Sequence, residues 1–276
     1  MEIRFQNSPK EASEMNTQEL RTNFLAQNLM VNDEVKLVYS HYDRMVIGGA
    51  KPVTKPLKLE NHPELLAGYF LERREIGIIN VGGAGQVEAD GVTFDLEKLS
   101  CVYLGKGTKN VVFKSNSLAG PSVFYLLSAP AHQTYPSVKM TKDEASPGTM
   151  GAVETANERT IYRYIHLDGL KSCQLVMGLT ILSTGSVWNT MPAHTHTRRM
   201  EAYFYFDVPE EQRIVHLMGE PQETRHLLVA NHEAVISPPW SIHSGCGTAS
   251  YGFIWGMAGE NLVYSDMDPV AIGDLR

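Results

Sequence analysis

Residues with the types and spacing for metal chemistry lie in the last third of the chain. His194 and His196 stand two apart, Glu201 follows, and His243 comes just after Ser237-Pro238-Pro239-Trp240. Residues two apart on a β-strand project to the same face, so one strand can aim both imidazoles at a single ion. The stretch between His196 and Glu201 suffices for a tight turn, and Ala202-Tyr203-Phe204-Tyr205-Phe206 reads as the returning strand. Three imidazoles and a carboxylate suit zinc, iron, manganese or nickel. The lack of a thiolate argues against a closed structural zinc and for an open coordination position. Any one of the ten histidines is more often a polar or capped residue than a ligand. The case rests on the four residues together.

Written as a pattern, His-x-His-x4-Glu followed about forty residues later by Pro-x3-His resembles the two consensus motifs of the cupin superfamily. That resemblance implies a small antiparallel jelly-roll barrel with the metal inside.

The elements that must hold such a site can be read along the chain. Asn16-Thr17-Gln18-Glu19 has the form of a capping box, and Leu20, Phe24 and Leu25 supply an apolar face, so a short amphipathic helix is expected from about Thr17 to Leu29. From Glu34 onward short β-rich runs alternate with turn signals such as Gly82-Gly83 and Asp90-Gly91. Residues 136–159 turn polar, and strand character resumes at Thr160. The expectation is mainly β: two tandem cupin-like barrels, an N-terminal degenerate domain over 1–150 and a metal-binding domain over 151–276. The first half has no His-x-His. His41, His62 and His132 are too scattered to nominate, so that half is expected to serve packing and oligomerisation.

Composition narrows the function classes. With 276 residues a sizeable core is available to one large or two modest domains. A net charge of −7 with scattered Lys and Arg argues against nucleic acid and leaves a small polar substrate open. The N-terminus lacks a secretory pattern, and no apolar run approaches the roughly 20 residues a membrane helix needs. Cys101, Cys173 and Cys246 are odd in number and unpaired in spacing, which fits reduced thiols in the cytoplasm. Cys246 reads as a small buried thiol, although its nearness to His243 also admits a nucleophile.

The second half goes beyond a generic cupin. Pro192 to Phe206, Arg213 to Gly219 and Ser237 to Gly245, together with Gly48-Gly49-Ala50-Lys51-Pro52 and Arg74 to Asn80, are similar to the bacterial 5-keto-4-deoxyuronate isomerase family over the whole chain. The resemblance implies one zinc per subunit on residues matching His194, His196, Glu201 and His243. It also implies a homohexamer, and cytosolic breakdown of pectin-derived unsaturated uronates. The implied reaction moves a carbonyl from C1 to C2 of an open-chain 4-deoxy-5-ketouronate without a redox cofactor.

Tyr203 and Tyr205 share strand parity with Glu201 and should project inward, where their hydroxyls could relay protons or bind substrate oxygens; core filling is the competing reading. Arg163, on a strand, could pair with the substrate carboxylate. Arg198 and Arg199 are expected in a solvated turn, and Tyr251 and Trp255 as a wall. Competing functions are 5-deoxyglucuronate isomerisation in inositol breakdown and an iron-dependent cupin dioxygenase. A sugar-binding regulator would be expected to carry a basic helical segment that this chain lacks.

Overall fold

The β-rich runs become strands in a computed structural model that describes residues 1–276, and they sort into two matching pairs of sheets. In the first half a seven-stranded sheet has Val46–Ala50, Phe124–Pro130, Arg74–Asn80 and Cys101–Leu104 at its centre. Its companion is a four-stranded sheet of Leu57–Lys58, Val111–Ser115, Gly85–Ala89 and Val92–Leu96. The second half repeats the plan. Arg159–Ile165, Val176–Leu182, Gly252–Gly259, Arg199–Phe206 and Ala234–Ser237 lie side by side in the large sheet. Trp188–Asn189, Ser244–Gly247, Ile214–Glu220 and Glu223–Val229 form the small one. The architecture is mainly β, as the run lengths and turn spacing predict.

Strand parity decides what each residue meets. Ile76, Ile78, Phe124 and Leu126 point into the first half and pack with Phe113 and Val102. Their alternates Ile79, Tyr125 and Leu127 point the other way and join the core of the second half. The two large sheets therefore stand back to back. Tyr125 stacks on Phe204 with ring centroids 4.3 Å apart. Gly77 and Gly256 sit where the sheets press closest: a Cβ on Gly77 would meet Met177 and Ile165, and one on Gly256 would collide with Leu127.

A buried carboxylate fastens the two halves. Glu75 is 0% exposed. It accepts from the Tyr103 hydroxyl (2.8 Å) and from three successive backbone N–H groups of the second half, Cys173 (2.7 Å), Gln174 (2.9 Å) and Leu175 (2.9 Å). Four donors on one carboxylate compensate for its removal from water.

The N-terminal helix runs Thr17–Phe24, with Asn16 accepting from Gln18 N and Glu19 N as the capping box predicts. It stops five residues short of the expected end. Leu25 and Ala26 instead become a strand paired with Val235 and Ala234, which gives their buried backbone ladder partners that a helix end could not supply. A second helix, Pro9–Glu14, has its own capping box between Ser8 and Glu11 and Pro at its start. Its Ser-x-x-Glu pattern, Ser8 to Glu11, has the same capping-box form.

Candidate metal centre and active-site cavity

Glu201 lies near the start of Arg199–Phe206, a strand buried along its whole length between Gly252–Gly259 and Ala234–Ser237. Register sets Glu201 opposite Ser237 on one side and Met257 on the other. From Ser237 the chain turns through Pro238-Pro239 and returns with His243, whose Nδ1 lies 3.2 Å from the Ser237 hydroxyl. His194 begins a two-residue strand paired with Asp268–Pro269. His196 follows it, with Nδ1 2.7 Å from the backbone oxygen of Asp266. Because a carbonyl only accepts, His196 Nδ1 carries a proton, which leaves Nε2 as the ring nitrogen that faces Glu201.

The four side chains predicted as ligands come together, with ligand atoms within 4.8 Å of one another. His194 Nε2 is 3.1 Å from His196 Nε2 and 3.0 Å from His243 Nε2, and both of the latter are 2.9 Å from Glu201 Oε2. Three ring nitrogens gather around one carboxylate oxygen, a donor set that a cation among them would satisfy. The residues fit a divalent ion with nitrogen and oxygen preference. Burial, reinforced by neighbouring His243, holds the His194 imidazole down to about 2, so it is neutral and able to ligate. Burial opposes ionisation of Glu201, yet His243 and His196 outweigh it and keep the carboxyl well below its usual range. His196, Glu201 and His243 are buried, and His194 is half-buried on the open side.

That side opens into a cavity of about 400 Å³, lined by His194 and Glu201 and by Tyr203, Thr190, Arg159 and Tyr264 among others. The expected inward parity of Tyr203 and Tyr205 holds, but depth separates them. Tyr203 lines the cavity, its hydroxyl 2.8 Å from Thr190 Oγ1. Tyr205 lies beneath, its hydroxyl 2.7 Å from His216 Nδ1 and outside the lining. Burial, then the Glu201 charge, raises the Tyr203 phenol well above its usual value, so it keeps its proton. Burial lowers His216 to about 3, leaving that ring neutral. Trp255 forms part of the wall, whereas Tyr251 turns to the floor and receives a hydrogen bond from Asn189 Nδ2 at 2.7 Å.

Arg163 is not in the lining; its guanidinium lies over the Tyr264 ring at 5.6 Å and its Nη2 points to the Ser146 carbonyl. The cavity's arginine is Arg159, four residues earlier and of the same parity on the same strand, a position the sequence made available. Tyr264 had no such signal, because it comes from the irregular segment after the last long strand. Arg199 corrects the solvated-turn expectation: it belongs to the buried strand and is 1% exposed. Arg198 stays in the turn, partly exposed and paired with Asp266 and Asp268. Carbonyls from the C-terminal segment, more than sixty residues distant, draw Arg199 inward. Cys246 is half-buried, and burial raises its thiol, against a nucleophile.

Comparison with known proteins places this geometry in context. Residues 24–271 match the model of the KduI/IolB family. The chain is 54% identical over 275 residues to the 4-deoxy-L-threo-5-hexosulose-uronate ketol-isomerase of Formosa agariphila, covering all of this chain and 98% of that one. It is 51% identical to the protein of the same name from Caldicellulosiruptor bescii over the full length of both. Among solved structures, an IolB-like protein from Salmonella typhimurium superposes with a TM-score of 0.74 at 15% identity, covering 90% of this chain and 97% of that one. Lactobacillus farciminis oxalate decarboxylase superposes with a TM-score of 0.56 at 9% identity, over 83% and 79% of the two chains, and shares the fold alone. No helix is long and apolar enough to cross a membrane. Matched along its full length by ketol-isomerases and over residues 24–271 by the family model, this chain is an enzyme of ketol-isomerase type and belongs to the KduI/IolB family.

Proposed function

We propose that the protein converts 5-dehydro-4-deoxy-D-glucuronate, the open-chain 4-deoxy-5-ketouronate released from pectin-type unsaturated uronates, to 3-deoxy-D-glycero-2,5-hexodiulosonate. A divalent ion, zinc by preference, is held on His194, His196, Glu201 and His243, one per subunit. The observation that carries the reading is one cavity lined by Arg159, Tyr203 and two of the four clustered residues, His194 and Glu201. The full-length identity to ketol-isomerases supports the substrate class.

The reaction shifts a hydrogen from C2 to C1 and the carbonyl from C1 to C2, so negative charge develops on the reacting oxygens. A bound divalent ion would supply Lewis acidity there, an effect of several kcal/mol, roughly. Arg159 meets the other end of the substrate. Its side chain makes one hydrogen bond within the chain, from Nη1 to the Asn157 carbonyl at 2.8 Å, and its remaining N–H groups suit a carboxylate. Tyr203 acts as a proton-bearing donor to a substrate oxygen, oriented by Thr190. Tyr205 acts through the floor, fixing His216 under the site. Phe253, Trp255 and Met257 in the lining limit water around the reacting carbons. The enzyme is further read as a cytoplasmic homohexamer, to be checked by sedimentation mass.

The test is to generate the ketouronate with a pectate lyase, add protein of measured metal content, and follow conversion of aldehyde to 2-ketone by NMR. Conversion that stops with chelator and returns with zinc is expected. No conversion by metal-replete protein refutes the assignment, and a higher kcat/KM with 5-deoxyglucuronate would move it to that acid.

A further inference from the structure

Asn261–Asp268 crosses the cavity and places Tyr264, Ser265 and Met267 in its lining, yet it has almost no regular structure of its own. Two consecutive arginines hold it from opposite sides. Arg198, at the surface, sends Nε to both Asp266 carboxylate oxygens (2.8 and 2.9 Å) and Nη2 to Asp268 (3.0 Å). Arg199, inside, donates Nη1 to the Val263 carbonyl (2.8 Å) and Nη2 to the carbonyls of Tyr264 (3.3 Å) and Asp266 (2.9 Å). The Asp266 carbonyl is shared: its other lone pair receives the Nδ1 proton of His196 at 2.7 Å.

A guanidinium this deep is costly to bury, and no carboxylate bonds it; its Nε has no partner at all. What the placement achieves is geometric. A planar fork reaches carbonyls on both sides of a bend, which a single ammonium cannot. We propose that Arg199 is a positioning residue for the metal centre: by clamping the carbonyls of Val263 to Asp266 it sets the oxygen that orients the His196 ring toward Glu201. The proposal rests on the ligand reading of the four residues and is independent of which sugar acid is isomerised.

The test is zinc affinity, by competition with a chromogenic chelator, together with amide hydrogen exchange, both without substrate. Failure of the uronate assignment would therefore leave the result standing. Arg199→Met is expected to weaken zinc binding about 10–100-fold, the range seen when a partner of a ligating histidine is removed. Exchange should rise across 262–268 while strands 176–182 and 252–259 stay protected. Arg199→Lys should fall between, keeping the charge without the fork. Wild-type zinc affinity in folded Arg199→Met overturns the proposal, as does weakened affinity with unchanged exchange in the strap. Should Arg199→Met not fold, Arg198→Gln leaves the buried guanidinium in place and frees the outer pins. Several-fold weaker zinc binding with faster strap exchange is then expected, and a loosened strap with unaltered affinity overturns it.

Discussion

Replacing Glu75 by glutamine changes one atom's chemistry in a sealed place. The carboxylate uses both oxygens: Oε1 accepts from Gln174 N and Leu175 N, Oε2 from Tyr103 Oη and Cys173 N. An amide keeps one acceptor and turns the other into an NH2 group, which must face two donors whichever way it flips. Hydrogen bonds to a charged group contribute about 1.5–3 kcal/mol each, and a buried donor left unpaired costs about 1–3 kcal/mol. Losing two bonds, with the Tyr103 hydroxyl free to rotate and recover one when it faces the amide, leaves a net cost of about 3 kcal/mol. At roughly 2–4 °C per kcal/mol for a chain of this size, the melting temperature should fall by about 6–12 °C. Differential scanning calorimetry at neutral pH, with metal saturated, reads it. Because the bonds join the two halves, loss should also split or broaden the transition. A shift under about 2 °C with a single unchanged transition would refute the claim that this carboxylate fastens one half to the other.

His194→Ala and His243→Ala should each lose bound metal while keeping the wild-type circular dichroism spectrum; normal metal stoichiometry in both would show the site misplaced. Arg159→Gln should raise KM for the ketouronate with a smaller change in kcat, losing about 2–3 kcal/mol of charge-assisted hydrogen bonding, or roughly 30–150-fold in kcat/KM, whereas Arg163→Gln should change either constant little. His232, packed parallel to Phe204 and depressed to about 4 first by burial and then by Lys51, stays neutral in the fold where the unfolded chain would protonate. Stability should therefore fall as pH drops from about 6.5 to 4 and level off below, by up to about 3 kcal/mol from this residue. His232→Asn, which tolerates the positive φ of 63° there, should flatten that part of the denaturation profile relative to wild type.

The ligands were legible because strand parity and a short turn are local rules. His194 and Glu201 fall on strands as expected, though the strand of His194 is two residues long, ends before His196 and pairs with Asp268–Pro269 rather than with the Glu201 strand; His243 follows from a loop that returns to Glu201's own neighbour, Ser237. Parity also turned Tyr203 and Tyr205 inward, but it says nothing of depth, and only the first reaches the cavity. Arg159 and Arg163 pose the same problem along a strand: equal parity, with the cavity's edge falling between them. What escaped entirely depends on distant partners. The burial of Arg199 needs carbonyls from 263–266, and the early end of the first long helix needs the backbone of Val235.

That helix end has a consequence for synthesis. Leu25 and Ala26 leave the ribosome early, yet the strand they complete, at Ala234 and Val235, is made some 210 residues later. Arg21 likewise donates to the Leu228 carbonyl, and Trp240 to that of Asn7. Leu25 and Ala26 must wait, unpaired, while the first pair of sheets assembles beside them, and can dock only once the second is nearly complete. Contacts of such long separation close slowly. A bulky fusion at the N-terminus would therefore act as a drag on the final stage of folding of the opposite half, the half that carries the proposed metal ligands.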